Sequence, residues 1–463
     1  MRTVSIHWLS LFLAVVGGIS ALLLIPTSTG HSQGLVCSAF GGGPPFNFQT
    51  YEATSDRQPY LLAQQLAAQN LLFPNDPDFA FDELLVGPVD ARRPAAQPAV
   101  PVQLLNAIGW IESQLIQASP RVPYESVGDV LISSSCAYGL MQVASSFNNT
   151  GGIPTRRESL AGSHYAYNIA AGVRVLADKW NAEFFPIVGQ GNNRLIESWY
   201  YATWAYNGWA LSNHPAGVEV DPFRQLPYAC DGPFNGYAYQ ELVFGCLSNP
   251  PSVDGVALWA PLDVRLPDLP TLAQFGGPLH PDAFFRGWST VFTAPFTGAD
   301  ASRPFAEMNL PGPSAAIVPP QPNISPARAA AARAEILGQA TLAVDQTELE
   351  VSVTDERTDR ATITIRNTGA GLLVYRLVPQ QEWLRIDVPA GVAVGSGVPL
   401  MAGAEADATI LLDLRVSGLP EGLHQGSIMV EALLPDGTID VVEVTVVVDK
   451  QGVARYEAGT PLS

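Results

Sequence analysis

Apolar positions along the chain change their period several times, and each change marks a boundary. Trp8 to Ile25 is apolar apart from Ser10, Ser20 and the Gly17 and Gly18 pair, and after Arg2 no Asp, Glu, Lys or Arg occurs until Glu52. This is the pattern of an export signal or a membrane anchor, because its length falls between a signal peptide's apolar centre and a full span. From Gln58 to Phe73 apolar residues recur at helical spacing (Leu62, Leu66, Phe73, with Leu61 and Leu72 flanking), and Pro74 to Pro101 is rich in Pro and Asp. The first predicts a helix and the second a long irregular approach. Helical periodicity dominates from Val102 to about Asn213, with polar breaks at Pro120 to Pro123, Asn148 to Pro154 and Gly189 to Asn193. Residues 214–295 read as loop-like and aromatic, residues 296–327 as a Pro-rich linker, and Ala327 to Leu337 as a short helix.

From Ala340 to Val448 the period shortens to two. Runs at Leu349 to Val353, Ala361 to Ile365, Leu372 to Leu377, Trp383 to Val388, Thr409 to Val416, Ser427 to Ala432 and Val441 to Val448 predict strands, with a hairpin signal at Asp436 and Gly437. Strands in that density predict an all-β sandwich. The chain is thus expected to be multidomain: residues 1–30 a signal peptide or N-terminal anchor, 46–100 an N-terminal helix and irregular approach, 101–260 an α-helical domain with an aromatic, Cys-containing extension, 261–337 a Pro/Ala-rich linker, and 338–450 the sandwich.

Composition then removes whole classes of function. With 47% apolar and 14% charged residues the chain has the apolar surface to fold. A net charge of -19, with Lys only at Lys179 and Lys450, excludes a phosphate-backbone binder, so no nucleic acid is expected. Four cysteines, Cys37, Cys136, Cys230 and Cys246, suit disulfides in an exported chain. Cys230 and Cys246 flank a compact loop and are the favoured pair, leaving Cys37 with Cys136. No zinc spacing occurs, and no metal or cofactor is expected. The predicted place is extracytoplasmic, in the cell envelope, either secreted or tethered to a membrane through residues 8–25.

The candidate chemistry starts at Glu112. Leu104, Ile108, Ile111 and Leu115 share one helix face, and Glu112 belongs to it, four residues after Ile108. A carboxyl there is either paired with a cation or held where a raised pKa lets it donate a proton near neutrality, and no Arg or Lys lies nearby on the helix. Further along come Gly139, Leu140, Met141 and Gln142, then Asn168, Ile169 and Gly172, then Ala205, Tyr206, Asn207 and Gly208. In this order, over roughly residues 100–213, the set resembles the soluble-type lytic transglycosylases of the lysozyme-like superfamily.

The resemblance implies a lysozyme-like helical domain that cleaves the MurNAc-GlcNAc β-1,4 bond of peptidoglycan glycan strands and leaves 1,6-anhydroMurNAc ends. It makes Glu112 the single general acid/base, Ser113 a helper near substrate, Gly139 a point of close backbone approach and Met141 a wall of the cleft. Gln142 and Asn207 would contact the sugar, Tyr206 would orient Glu112, and Asn168 is equally a structural or a substrate residue. The sequence departs from the family at Trp209, where a Gly is usual, and in the long interval before Gly139, which holds Glu125 and Asp129. If either of those faced the scissile bond, water would be activated and the chain would be a hydrolytic muramidase of the goose-type lysozyme kind. A non-catalytic cell-wall-binding protein is the alternative from another class. His164 and His214 fit surface or hydrogen-bonded positions better than catalytic ones.

The C-terminal segment resembles the BACON-type Ig-like domains through Asn367, Thr368 and Gly369, Trp383 and Leu384, Ser417 to Leu419, Gly422 and Gly426. That resemblance implies an Ig-like sandwich with a protein or glycan partner, or a plain spacer.

Overall fold

In the computed structural model the described residues are 44–452, apart from 82, 88–90, 145–146, 148–151, 183–190, 209–210, 265, 267–323 and 354–358. The N-terminal segment 1–30, Cys37, Trp209 and most of the expected linker therefore lie outside the described residues. Among the described residues, no helix is long and apolar enough to cross a membrane.

The N-terminal body opens with strand β1 (Gln49–Glu52) and helix α1 (Gln58–Ala67), followed by the two-residue strands β2 (Leu85–Val86) and β3 (Arg93–Pro94), which pair with each other. Helix α2 (Val102–Ser113) comes next, then strand β4 (Ser126–Asp129), which pairs antiparallel with β1 from Gln49 opposite Asp129 to Glu52 opposite Ser126. Helices α3 (Arg156–Ser163), α4 (Tyr165–Asn181), α5 (Tyr200–Tyr206) and α6 (Tyr239–Ser248) complete the body, with a small ribbon of β5 (Ser252–Val253) and β6 (Val256–Ala257). The expectation of an α-helical domain is thereby corrected to a mixed one. The long interval before Gly139 holds β4, which closes a ribbon with β1, a strand that lies ahead of the first expected helix and was not expected.

Local chemistry explains the helix starts. Thr155 Oγ1 accepts the N–H of Glu158 at 3.2 Å, and a Glu158 carboxylate oxygen accepts the N–H of Thr155 at 2.7 Å, a reciprocal cap on α3. His164 Nδ1 accepts the Ala166 N–H at 3.1 Å and starts α4. Burial of that ring holds its pKa down to about 3. It is neutral at physiological pH and serves structure, as does His214, whose Nδ1 accepts the Ala216 N–H at 3.1 Å.

Helix α7 (Pro326–Leu337) leads into the sandwich, with Ser325 Oγ accepting the Arg328 N–H as its cap. Its residues Ala329, Ile336 and Leu337 are buried in the core of the N-terminal body. The short helix expected over Ala327 to Leu337 is present, and it packs on the N-terminal body.

The sandwich comprises β7 (Leu342–Val344), β8 (Glu348–Val353), β9 (Asp359–Asn367), β10 (Leu372–Pro379), β11 (Leu384–Ile386), β12 (Ala390–Val394), β13 (Ala408–Leu414), β14 (Gly422–Leu433) and β15 (Ile439–Lys450). Five strands form one sheet in the order β12-β10-β14-β15-β8, and four form the other, β11-β13-β9-β7. The β14–β15 hairpin runs in register from Gly422 opposite Lys450 to Leu433 opposite Ile439, while β8 lies parallel to β15. Alternation does the sorting. Ile363, Ile365, Leu373, Tyr375, Leu412, Ile428, Val430, Val444 and Val446 fill the space between the sheets. Trp383 packs at its margin, partly buried.

The outer face of the five-stranded sheet is covered along its β12 and β10 side. Leu372, Val374, Ala390, Val392, Val394 and Leu433 belong to the same continuous core as Phe48 and the helices of the N-terminal body. Polar contacts fix the two bodies together: Tyr51 donates to Pro399 O at 2.6 Å, the Met401 N–H to Glu125 O at 2.8 Å, and Arg376 Nη1 to Pro154 O at 3.2 Å. Arg376 is held in turn by Glu431 at 2.5 Å across β10 and β14.

Gly162 marks how closely this region is packed. A Cβ there would overlap the ring of Phe48, which is fully buried between Phe46, Tyr138 and Phe147. Gly162→Ala gains about 1 kcal/mol of helix propensity but overpacks a ring that cannot retreat, at about 1–3 kcal/mol. Overpacking wins, and thermal unfolding of the variant is expected at a lower temperature than that of the parent chain.

Candidate active site

Glu112 stands in the last turn of α2, whose inner positions Leu104, Leu105, Ala107 and Ile108 are buried. The helix cannot continue, because Gln114 and Leu115 both take left-handed backbone (φ 58° and 54°). The turn is held from outside by Glu52 of β1, whose Oε2 accepts the N–H groups of Gln117 and Ala118 at 2.8 and 2.7 Å. Tyr60 donates to the other Glu52 oxygen at 3.0 Å, and burial pushes that carboxyl up to about 7. Strain immediately after Glu112 is thus retained by three hydrogen bonds onto one buried carboxyl.

The carboxyl of Glu112 is surrounded by protein yet keeps some accessible surface. Burial pushes it up to about 7, opposed by hydrogen bonds from the Tyr239 hydroxyl and the Asn207 side chain. The Tyr239 hydroxyl donates to Oε1 at 2.6 Å. Its place at the negative end of the α2 dipole works in the same direction as burial. Among the described residues, no cation and no second carboxylate acts on it. A carboxyl in this state is protonated about half the time at neutral pH and can both give and take a proton.

Other residues singled out from the sequence divide into two groups. Asn207 is exposed beside Glu112, Tyr206 is partly exposed with its hydroxyl near the Glu112 charge, and Gln142 is partly exposed with its Nε2 donating to Gly139 O at 2.8 Å. The remainder hold the site from behind. Ser113 Oγ donates to Gly109 O at 3.0 Å and Leu140 O at 2.8 Å, pinning the 139–142 turn to α2. Gly139 has φ 67°, and a Cβ there would sit 2.6 Å from both Asn168 Nδ2 and Gln117 Oε1. Met141 is completely buried, so it cannot wall a cleft. Asn168, also fully buried, accepts the Met141 N–H at 2.8 Å and donates to Tyr138 O and Ala161 O, a structural role throughout. Tyr206 donates to Met141 O at 2.7 Å and not to Glu112, which corrects its expected orienting role.

The orienting hydroxyl belongs to Tyr239, which the sequence reading missed. It lies 127 residues from Glu112 in a stretch crowded with aromatics. Helix α6 carries it and is locked in three ways. Arg224 meets Glu241 through Nε at 2.6 Å and Nη2 at 2.5 Å, with both side chains almost wholly buried. Glu241 also accepts the Ala238 N–H at 3.2 Å. Cys230 and Cys246 form the expected disulfide, closing a loop of 16 residues, which stabilises the fold by about 3 kcal/mol in the loop-entropy account. The other expected pair involves Cys37, outside the described residues.

Glu125 and Asp129 lie on or beside the β1–β4 ribbon. Glu125 contributes its backbone to Met401 and Glu52, and Asp129 accepts from Gln49 Nε2 at 2.5 Å. Neither acts on Glu112. Among the described residues no cluster of His, Cys, Asp and Glu could hold a metal ion.

Tyr239→Phe removes a hydrogen bond that favours the charged form of Glu112. The midpoint of the Glu112 carboxyl titration is expected to move up by about 1 unit. Titration of the carbon-13-labelled carboxyl in the variant and the parent chain checks it.

No family model matches the chain, and no curated protein does. Solved structures that resemble it are PapD-like and Ig-like chaperone sandwiches. The periplasmic chaperone SfaE aligns with a TM-score of 0.20 and 10% identity over 25% of this chain and 60% of its own. The E. coli chaperone DraB aligns at 0.19 and 10% over 24% and 56%, and the CsuC-CsuE chaperone-tip adhesion subunit complex of Acinetobacter baumannii at 0.19 and 11% over 25% and 59%. The chain spans less than two thirds of the length of each. No lysozyme-like or lytic transglycosylase structure is found, so the resemblance read over residues 100–213 is corrected, and so is the BACON-type resemblance of the C-terminal segment. Much of the motif order that suggested the first is accounted for by packing, since Ser113, Gly139, Met141 and Asn168 together build one buried turn. What stands is a mixed helix-and-sheet chain with an Ig-like β-sandwich at its C-terminal end and a disulfide.

Proposed function

We propose that the chain cleaves the β-1,4 bond between MurNAc and GlcNAc in peptidoglycan, with Glu112 as its single general acid/base. The observation that carries this reading is the state of Glu112: a carboxyl held near pKa 7 by burial, bonded by Tyr239 and Asn207, with no second carboxylate among the described residues acting on it. Hydrolytic glycosidases ordinarily need two carboxyl groups, one for the leaving group and one for water or the anomeric carbon. A single carboxyl suffices when the nucleophile is tethered to the substrate at high effective molarity. The C6 hydroxyl of MurNAc is such a nucleophile.

Glu112 gives its proton to the glycosidic oxygen as the C1–O bond breaks. The C6 oxygen then bonds to C1 and passes its proton back to the Glu112 carboxylate, so the enzyme is restored and the product carries a 1,6-anhydro ring. Gln142, partly exposed on the 139–142 turn with its Nε2 held by Gly139 O, offers its amide oxygen to sugar hydroxyls, while Asn207 stands exposed beside Glu112. The buried Cys230–Cys246 disulfide supports an extracytoplasmic setting, where the wall is. The net charge of -19 gives no long-range attraction to a wall rich in peptide carboxylates, so binding rests on short-range contacts. Residues 8–25 would supply a tether if retained.

Mass spectrometry of fragments released from purified sacculi by the full chain tests the reading. Ends carrying 1,6-anhydroMurNAc are expected. Reducing ends would replace it with hydrolysis, and intact strands retained on folded protein would replace it with glycan binding alone.

A further inference from the structure

Asn207 reaches Glu112 from an exposed position just past the end of α5, where a free amide would rotate and present either its oxygen or its nitrogen. Only the nitrogen can donate to a carboxylate. The structure supplies what chooses between them. Asn213 Nδ2 donates to Asn207 Oδ1 at 3.1 Å, which engages the oxygen and turns the nitrogen toward Glu112. The Asn213 Oδ1 accepts the backbone N–H of Tyr239 at 3.3 Å, and its carbonyl oxygen accepts from Gln240 Nε2 at 2.8 Å. A ring of hydrogen bonds therefore runs from Glu112 to Asn207, to Asn213, to the Tyr239 backbone, and back to Glu112 through the Tyr239 hydroxyl.

We propose that Asn213 is a positioning residue: one amide fixes which end of Asn207 faces Glu112 and anchors the start of the helix that carries Tyr239. Asn213 touches neither the carboxyl nor, on this geometry, a reacting atom. Its donor and acceptor are both committed, in opposite senses, to the two residues that bond Glu112. Asp could accept from Tyr239 but could not donate to Asn207, and Leu could do neither. The role rests on Glu112 being the acid/base of the proposed reaction, but the arrangement can be read out without any reaction.

The groups that act on Glu112 are the Tyr239 hydroxyl and the Asn207 side chain, with the Tyr206 hydroxyl also near its charge. The test is the titration of the Glu112 carboxyl in the full chain labelled with carbon-13 at glutamate carboxyls, its resonance assigned by its loss in Glu112→Gln. Asn213→Leu is expected to raise the midpoint by about half a unit or more, because the hydrogen bond that favours the charged form is lost. In an Asn207→Ala background the same substitution is expected to add less, since one of the two groups it acts through is gone and only the Tyr239 contact remains. Asn213→Ala serves in place of Leu where the larger side chain disturbs folding, which circular dichroism reports. An unchanged midpoint in a folded Asn213 variant, or an equal rise in both backgrounds, overturns the proposal. Absence of glycan cleavage by the parent chain would overturn the reaction and leave this result standing.

Discussion

Glu112→Gln is expected to fold, to retain glycan binding and to lose product release by at least about a thousandfold, since a general acid/base contributes up to four orders of magnitude and no second carboxyl can take over. The amide keeps the size of the side chain and can still accept from Tyr239. It also changes stability in a direction that identifies the cause. The folded-state pKa of about 7 lies above the ordinary carboxylate value of 4.5. Between those values the unfolded chain binds fewer protons than the folded one, so stability falls as pH rises from 4.5 to 7 and then levels off. The Gln variant escapes that loss. It should unfold at a higher temperature than the parent chain at pH 8, and the gap should close toward pH 4. Equal pH dependence in both chains would show that the Glu112 carboxyl is not held in its protonated form by burial.

Arg224→Ala has the second large effect, through stability. Arg224 and Glu241 keep only 4% and 1% of their side-chain surface exposed, and truncating one partner strands the other as a buried charge at about 3–5 kcal/mol. Arg224 also donates to Asp221 O and Pro215 O, so the loop before α6 loosens with it. A melting temperature lower by about 10 °C is expected for a body of this size, with activity falling further as Tyr239 leaves Glu112. Replacing both partners, Arg224→Met with Glu241→Leu, removes the stranded charge and should recover most of the loss. Calorimetry on the single and the double variant separates an unpaired charge from simple loss of packing, which the double replacement would not restore.

How much of this was legible depended on what each side chain faces. Seven strands announced themselves, most because they bury one face and alternate, and β10 as a run of apolar residues buried on both faces. Ala390 to Val394 did not, since all five of its residues are buried and it reads as a short apolar run after Pro389. Strand β1, with the sequence Gln-Thr-Tyr-Glu, hides for the opposite reason: its polar residues are buried and satisfied, Thr50 by Ser163 O and Glu52 by the turn after α2. Glu112 was legible because an acid on an apolar helix face has few explanations. Tyr239 and Asn213 were not, because hydrogen bonds between segments so far apart leave no spacing signal. Met141 misled as a wall of the cleft, and Asn168 took the structural one of its two readings, since a residue that braces a site from behind is constrained as tightly as one that lines it.

The edge strand Ala390 to Val394, covered on both sides, has a consequence for how the chain can change. Ala390, Val392 and Val394 face Phe48 and the N-terminal helices, and Ala393 faces the sandwich interior, so the strand as a whole is judged by two neighbourhoods. Such a strand admits only small apolar residues, and a larger one must be answered on the other half of the molecule. The sandwich is therefore not a detachable cartridge that could be exchanged for another of the same fold. A chain ending at Leu337 would carry an open apolar face in its place, and the two halves are bound to be inherited together.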